Sequence, residues 1–236
     1  MALTFQDIKQ EFQDSVNADK RCQEFYRKIR SGDATYATVN KLAARVGDIL
    51  GEVLMRYAPT QNIDEWALDD LIPKSLGLDH NIIATACKQM QEKMNKDAGL
   101  GIKPKEPKFN WDRVNGIIDE LKEHPDTFGD IEKSFQDQLV NFSQSIVSDS
   151  IRDNAQMLAR AGVKTMVIRQ AEFKACQWCR DVAGSYDYAD VKDTGNDVWR
   201  RHENCRCVID FITEYNGSMY RERTGAGYGL RTPQYE

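Results

Sequence analysis

Apolar side chains recur every three or four positions through the first hundred residues, a spacing that predicts α-helices with one buried face. The first apolar stripe starts at Phe5 and predicts one helix that continues to about Ile29 and ends near Gly32. A second helix is predicted to begin after Asp33 or Thr35, since either residue can cap a first turn. The apolar stripe of this second helix consists of Val39, Leu42, Val46, Leu50 and Leu54.

Prolines and a glycine are predicted to divide the rest of this helical part. Pro59 is predicted to end the second helix. A short helix is then predicted over residues 64–71, ending before Pro73, and a further helix is predicted to begin at Asp79. The further helix is predicted to stop at Gly99, because glycine readily adopts the left-handed conformation that closes many helices.

The middle of the chain contains an irregular segment followed by the longest helical pattern. Residues 99–109 hold two glycines and two prolines, which predicts a linker or an extended strap. A short helix over residues 111–121 follows, and a long helix is predicted from Asp130 to Gly162. At 1.5 Å per residue, a helix of about 30 residues is about 45 Å long. Its two apolar lines predict that it spans the body of the protein or packs against other subunits.

The character of the sequence changes after the long helix. Residues 163–173 and 207–215 are rich in branched and aromatic side chains and are predicted to form strands. We therefore expect a mainly α-helical N-terminal part with long helices and a small C-terminal α+β module. The predicted divisions are a helical domain (1–98), a linker or strap (99–109), a long-helix segment (110–162), the α+β module (163–215) and an exposed tail rich in Gly, Tyr and Arg (216–236).

Composition and charge narrow the range of functions. The 236-residue chain has 32 basic and 37 acidic side chains, a net charge of −5, so as a whole it lacks the cationic field that holds nucleic acid. The acidic excess lies in residues 1–150, with 19 basic and 25 acidic side chains, whereas residues 151–236 carry 13 and 12. No run approaches the roughly 18 apolar residues of a membrane span, and the acidic N-terminus is unlike a signal peptide. We therefore expect a soluble chain without a membrane partner.

Four of the six cysteines are crowded into 32 positions together with a histidine. They form the pattern Cys176-x-x-Cys179, then a longer interval, then His202-x-x-Cys205-x-Cys207. A Cys-x-x-Cys pair and a later His-x-x-Cys pair can supply the thiolate and imidazole ligands of a tetrahedral zinc ion. Because four protein ligands leave no open coordination position, the zinc would be structural, and we expect no catalytic residue and no enzyme activity.

The fourth zinc ligand can be assigned in two ways. Cys205 and Cys207 alternate along an extended segment and are expected to point to opposite sides. We prefer Cys205 and keep Cys207 as the alternative. Two other interpretations stay open, namely a reducible disulfide in the Cys-x-x-Cys pair and free cysteines with an incidental histidine. The flanking sequence lacks the βαβ alternation of a thioredoxin-like motif, which favours zinc.

Two segments around the predicted ligands are distinctive: CQWCRDVAGSYDY and, later, VWRRHENCRCVIDF. Together with the sequence upstream, over most of residues 95–210, they resemble the minor head proteins of tailed bacteriophages, the MuF-like family. The resemblance implies a structural virion protein, present in a few copies inside the phage head near the portal, that acts in head assembly, DNA packaging or genome ejection. It implies the portal, major capsid or scaffold protein as partners, with packaged DNA as a further contact. Assembly would take place in the bacterial host cytoplasm.

Two alternative functions use the same residues. Asn204 beside His202 superficially resembles an HNH-type nuclease, but such an enzyme needs an additional catalytic histidine and a second Cys-x-x-Cys pair. A zinc-containing nucleic-acid-binding protein is the other alternative, with Arg200, Arg201 and Arg206 contacting phosphates. Since this part of the chain has almost no net charge, we expect the arginines to pair with nearby aspartates instead.

Overall fold

The computed structural model describes residues 4–57, 67–123, 128–193, 195–202 and 205–214. The longer helices in these ranges are α1 (Phe5–Ala18), α2 (Lys20–Ser31), α3 (Tyr36–Tyr57), α4 (Ile72–Asp97), α5 (Trp111–Glu123) and α6 (Phe128–Arg160). The C-terminal elements are β1 (Thr165–Gln170), α7 (Gln177–Asp181), β2 (Gly184–Asp187), α8 (Tyr188–Val191) and β3 (Val208–Thr213). The prediction of a mainly helical chain with a small C-terminal sheet is therefore confirmed.

The prediction of a single helix from Phe5 to about Ile29 is wrong, because this segment forms two helices. α1 ends at Ala18, and the extended residue Asp19 separates it from α2. The Asp19 carboxylate accepts a hydrogen bond from the backbone N–H of Cys22 at 2.9 Å, which caps the new helix. Arg45 of α3 fixes the same carboxylate at 2.9 Å. α2 then ends at Gly32, as predicted, with the left-handed φ of 82° that glycine permits.

The prediction that a helix ends before Pro73 is wrong, because Pro73 lies in the first turn of α4. Proline is tolerated in a first turn, where its missing N–H would have no intrahelical partner. A π-helical turn (Ala67–Leu71) leads directly into α4, which continues through Asp79. Asp79 was expected to start a helix and is instead buried within this one. The helix ends beside Gly99, as predicted.

α6 is the longest described helix and extends through the body of the protein. It has 33 residues and begins slightly before the predicted Asp130. It packs against α3, α4, α5 and the sheet, so its apolar lines are covered within the chain. The approach of α3 is close: a Cβ atom on Gly47 would lie 2.9 Å from the Cα atom of Val140. Only a glycine allows the two helices this separation.

The strands form one antiparallel sheet in the order β2-β1-β3. Both predicted strands are confirmed as β1 and β3, which pair from Thr165 with Thr213 to Gln170 with Val208. β2 and the one-turn helices were not predicted, because each is too short to show a period. One apolar cluster continues from the helices into the sheet, with the rings of Tyr36 and Phe211 5.2 Å apart.

Residues 100–110 have no regular structure, in agreement with the predicted linker or strap. The segment is fastened to α6 by Asn154, whose side chain accepts from the Lys105 N–H at 2.8 Å and donates to the Lys105 carbonyl at 2.9 Å. Asn95 of α4 donates to the Ile102 carbonyl at 2.8 Å. The segment is therefore a strap across two helices.

Some sequence predictions fall on residues that the structure does not describe. These are the helix end at Pro59 and the tail over residues 216–236. The domain boundaries stay predictions. Among the described helices, none combines the length and the apolar character that crossing a membrane requires.

A carboxyl group is buried where α4 meets α6. Both side-chain oxygens of Asp79 lie 3.0–3.1 Å from the Ser143 hydroxyl, which also lies 2.8 Å from the Leu139 carbonyl oxygen. One hydroxyl hydrogen cannot serve three acceptors, so a proton on Asp79 is needed to complete the set. Burial favours the protonated form that this arrangement requires, because it raises the pKa of Asp79 well above its ordinary value.

We expect Asp79→Asn to remove a pH-dependent destabilisation. The stability that protonated Asp79 contributes is fully present below its unfolded pKa of about 3.9 and is lost as the pH rises through its raised folded pKa. The melting temperature of the variant should therefore match that of the parent near pH 4 and exceed it increasingly toward pH 8. Thermal denaturation across this pH range measures the difference, with exposed Asp119→Asn as the control. A variant that is less stable at every pH would contradict the assignment.

Candidate metal centre

The first two cysteines are held by a single helical turn after β1. Cys176 is the N-cap residue of α7, and its Sγ accepts a hydrogen bond from the backbone N–H of Cys179 at 3.4 Å. The turn brings Cys179 back under Cys176 and buries it to 1% exposure, while Cys176 stays exposed. The Cys-x-x-Cys spacing therefore presents both sulfurs to one place.

The second group of residues lies in the loop that leads into β3. The N–H of Cys205 donates to the His202 carbonyl at 3.2 Å, which holds these two residues close together. Asn141 of α6 also donates to the His202 carbonyl at 3.2 Å. Arg201 donates to the Cys207 carbonyl at 2.9 Å. These contacts fix the loop against α6 and aim its ligand atoms at α7.

The structure brings together all five residues that the sequence singled out as candidate ligands. His202 Nε2 lies 3.2 Å from Cys176 Sγ and 2.9 Å from Cys179 Sγ, and Cys179 Sγ lies 3.8 Å from Cys205 Sγ. A tetrahedral zinc ion with Zn–S bonds near 2.3 Å holds its sulfurs about 3.8 Å apart. The ligand atoms form two overlapping groups, each within 4.8 Å: Cys176, Cys179 and His202, and Cys179, Cys205 and Cys207.

The expectation that Cys205 and Cys207 point to opposite sides is wrong. Both are 1% exposed, and both sulfurs lie within 4.8 Å of Cys179 Sγ. The alternation of side chains applies to a strand, and β3 begins only at Val208. Both cysteines lie in the irregular segment before β3, where side chains need not alternate, so both sulfurs can approach Cys179.

Arg169 is a residue of this site that the sequence analysis missed. Its guanidinium is buried under the centre and donates to the carbonyl oxygens of Asp197, Val198 and Arg200 at 3.2, 2.7 and 2.6 Å. A second nitrogen lies 3.8 Å from each of two sulfurs, those of Cys179 and Cys205. The sequence carries one signal for this role, because Arg169 is the single charged residue of the strand TMVIRQ. An arginine that is buried in a strand needs hydrogen-bond acceptors around it.

The protonation of the buried thiols is uneven. The hydrogen bond from the Cys207 thiol, together with nearby Arg201 and Arg169, holds the pKa of Cys205 well below its ordinary value. The hydrogen bond to Cys205 and burial raise the pKa of Cys207. Burial also raises the pKa of Cys179. Of these three buried cysteines, Cys205 is the one whose surroundings lower the pKa.

Two buried arginines next to the centre form no ion pair with a carboxylate in the described part of the chain. Among the described residues, Arg169 contacts carbonyls and sulfurs, while Arg201 donates to amide, hydroxyl and carbonyl oxygens. Burial lowers the pKa of Arg201 to about 10, which still leaves it charged at neutral pH. The sulfurs of Cys179 and Cys205 lie beside Arg169, and the charges of Cys205, Cys207 and Asp149 act on Arg201, so deprotonated sulfurs would stabilise both guanidinium groups.

The three arginines proposed for nucleic-acid contact have different surroundings. Arg200 is exposed and pairs with Asp197 at 3.1 Å, as expected from the sequence. Arg206 turns toward the helices, with Asp48 at 3.2 Å and Asp137 at 3.5 Å. Arg201 binds Gln144 and Ser148 of α6 and Asn40 of α3. Two of the three are therefore committed to internal contacts.

The two tryptophans near the predicted ligands and the two remaining cysteines have different surroundings. Trp178 lies edge-on to His202, with ring centroids 5.7 Å apart, and covers one side of the centre. Trp199 belongs instead to the main apolar cluster, where its indole N–H donates to the Val191 carbonyl. Cys22 and Cys87 are fully buried elsewhere, and burial raises the pKa of each to about 12.

Comparison with known proteins adds no family to this description. No family model matches the chain, no curated protein matches it, and no solved structure matches it. The Cys/His cluster is therefore the strongest indication of chemistry in the described part of the chain.

We expect Arg169→Gln to destabilise the fold strongly. Removing the guanidinium leaves buried carbonyls without donors and buried sulfurs without a cation, which costs about 3–5 kcal/mol for a buried charged group. Urea denaturation should show this loss. The control is Arg180→Gln, an exposed arginine of α7, which should change stability by less than about 0.5 kcal/mol. Equal stability of the two variants would contradict a stabilising role for Arg169.

Proposed function

We propose that the chain binds one structural zinc ion through Cys176, Cys179, His202 and Cys205, with Cys207 as the alternative fourth ligand. The 3.8 Å between the sulfurs of Cys179 and Cys205 supports this ligand set, because it matches the sulfur separation of a tetrahedral zinc site, and His202 Nε2 lies next to the sulfurs of Cys176 and Cys179. Cysteine sulfur and imidazole nitrogen are the ligands that zinc prefers in structural sites. Four protein ligands would close the coordination sphere, so the proposed role is stabilisation and not catalysis.

The position of the centre explains what the metal would stabilise. The ligands come from the turn after β1 and from the loop before β3, two segments that flank a sheet with strands of four to six residues. Such a small module buries little apolar surface of its own. Metal binding would connect the two segments and contribute its binding free energy to folding.

Charge balance favours the metal over a disulfide. Zinc with three thiolates and a neutral imidazole carries a net charge of −1, which would stabilise buried Arg169 and Arg201. A disulfide is neutral and would leave both guanidinium groups without a negative partner. All six cysteines are free thiols in the structure.

We expect native mass spectrometry to find one zinc ion per chain. Cys179→Ser should abolish zinc binding, because Cys179 belongs to both groups of ligand atoms. Its melting temperature should also fall, because the binding free energy of the metal no longer contributes to folding, and each kcal/mol lost lowers the melting temperature of a chain this size by about 2–4 °C. Cys22→Ala, which removes a buried thiol far from the ligands, should keep the zinc. The proposal would be contradicted by a chain that is folded without metal and whose melting temperature does not change when a chelator is added.

The same measurement separates the two assignments of the fourth ligand. If Cys205 is the ligand, Cys205→Ser should lose zinc affinity, whereas Cys207→Ser should retain one zinc ion per chain. The opposite result would make Cys207 the ligand and Cys205 its neighbour. Both variants remove a buried thiol, so each is the matched control for the other.

We also propose that the chain is a structural minor head protein of a tailed phage, associated with the portal inside the virion head. The observation that carries this proposal is the resemblance of the segments around Cys176 and His202 to the MuF-like family, combined with a centre suited to stabilisation. A role in head assembly, DNA packaging or genome ejection needs no catalytic residue. The protein would be made in the bacterial host cytoplasm and enter heads in low copy number.

We expect the purified protein to capture the portal protein in a pull-down against the portal, scaffold and major capsid proteins of the same phage. Quantitative mass spectrometry of purified virions should find it in the head at far fewer copies than the major capsid protein. Cys22→Ala should be incorporated like the parent and serves as the control. Absence from heads, together with no binding to any of the three proteins, would contradict the role in the virion and leave the zinc proposal untouched.

A further inference from the structure

A polar cleft of about 180 Å³ lies between α5, α6 and the loop before His202. It is separate from the metal centre and uses other side chains. Its lining includes four arginines from three different segments of the chain, together with one aspartate: Arg113, Asp149, Arg152, Arg200 and Arg201.

The positive charge of the arginines in this cleft exceeds the negative charge around them. Arg152 pairs with Asp149 at 2.8 Å, and Arg200 pairs with Asp197 outside the lining. Arg113 is exposed at the start of α5 and has no carboxylate within ion-pair distance among the described residues. The two terminal nitrogens of Arg201 donate to uncharged acceptors, whereas its buried Nε has no hydrogen-bond partner among the described residues and is the donor left for an anion.

The four arginines of the cleft therefore face only two carboxylates, those of Asp149 and Asp197, which leaves an excess of two positive charges among these side chains. Like charges held close together in a partly enclosed site repel each other, so the arrangement is favourable only when an anion joins them. The pair between Arg200 and Asp197 does not prevent this, because both side chains are more than half exposed and such pairs contribute about 0–1 kcal/mol. Arg200 can therefore turn from its aspartate to a bound anion.

The chemistry of the lining selects the class of anion. Guanidinium groups bind carboxylate and phosphate oxygens through paired N–H donors. Arginines that approach from two helices and a loop suit a tetrahedral group with several oxygens and up to two charges better than a planar carboxylate with one charge. The cleft also has room, since its volume is several times the roughly 30 Å³ that one water occupies in the liquid.

We propose that this cleft is a phosphate-binding site, in which Arg113, Arg152, Arg200 and Arg201 bind one phosphate group. The ligand is either free inorganic phosphate or a backbone phosphate of DNA, which present the same tetrahedral oxygens. The side chains from which this proposal is argued include no candidate metal ligand, and the proposal does not use the role in the virion.

Isothermal titration calorimetry of the full chain with sodium phosphate tests the proposal, in buffers whose ionic strength is matched with sodium chloride. We expect saturable binding with one site per chain. Arg113→Gln should weaken binding at least tenfold, and it should fold normally because Arg113 is exposed. Arg21→Gln removes an equally exposed arginine from α2, outside the cleft, and should leave the affinity unchanged within twofold.

A second titration with a short DNA duplex identifies the source of the phosphate. If DNA is the ligand, the duplex should bind, inorganic phosphate should compete, and Arg113→Gln should weaken duplex binding more than Arg21→Gln does. If free phosphate is the ligand, only the inorganic ion should give saturable binding that depends on Arg113. The proposal is overturned if neither ligand binds saturably, or if the two variants weaken binding equally.

Discussion

The buried guanidinium of Arg169 is the interaction on which the C-terminal module depends. An arginine stays charged inside a protein and offers five N–H donors, so the surrounding chain must supply both acceptors and negative charge. The carbonyl oxygens of Val198 and Arg200 supply acceptors, and the sulfurs of Cys179 and Cys205 lie where the negative charge is needed. One side chain of β1 thereby fixes the following loop and the cysteine cluster relative to the sheet.

The module is in turn built on the helices and not beside them. Arg201 joins the loop before β3 to α6 and α3, and Arg206 contacts Asp48 of α3 and Asp137 of α6. These contacts require α3 and α6 to be close, and Gly47 is the residue that permits their approach. The close pair of helices therefore forms the platform for the ligand-bearing loop.

Local patterns in the sequence were enough for features that depend on neighbouring residues. The spacing of Cys176, Cys179, His202 and Cys205 predicted a cluster that the structure brings together, because a turn of four residues fixes the separation of its ends. The break at Asp19 was missed because the apolar period continues across it, so only a capping hydrogen bond marks the boundary.

Features that depend on tertiary contacts could not be read from spacing. Arg169 carries no motif, and its role follows from carbonyls about thirty residues away along the chain. Asp79 is predicted from the sequence to begin a helix, since aspartate favours the start of helices, whereas its contact with Ser143 exists only once α4 and α6 pack together. The cleft likewise joins Arg113 to Arg201, which no local pattern connects.

A single short loop connects the metal centre, the cleft and the helices. Arg200 and Arg201 line the cleft, His202 and Cys205 lie at the cysteine cluster, and Arg206 contacts the helices. A loop without regular structure holds such divergent side chains in place only if several contacts fix its backbone, because each ordered residue costs about 1–2 kcal/mol of conformational free energy. The proposed zinc would supply this restraint from one side and the buried arginines from the other. The arginines of the cleft would then be held in position before any anion arrives, so less ordering would remain to be done on binding.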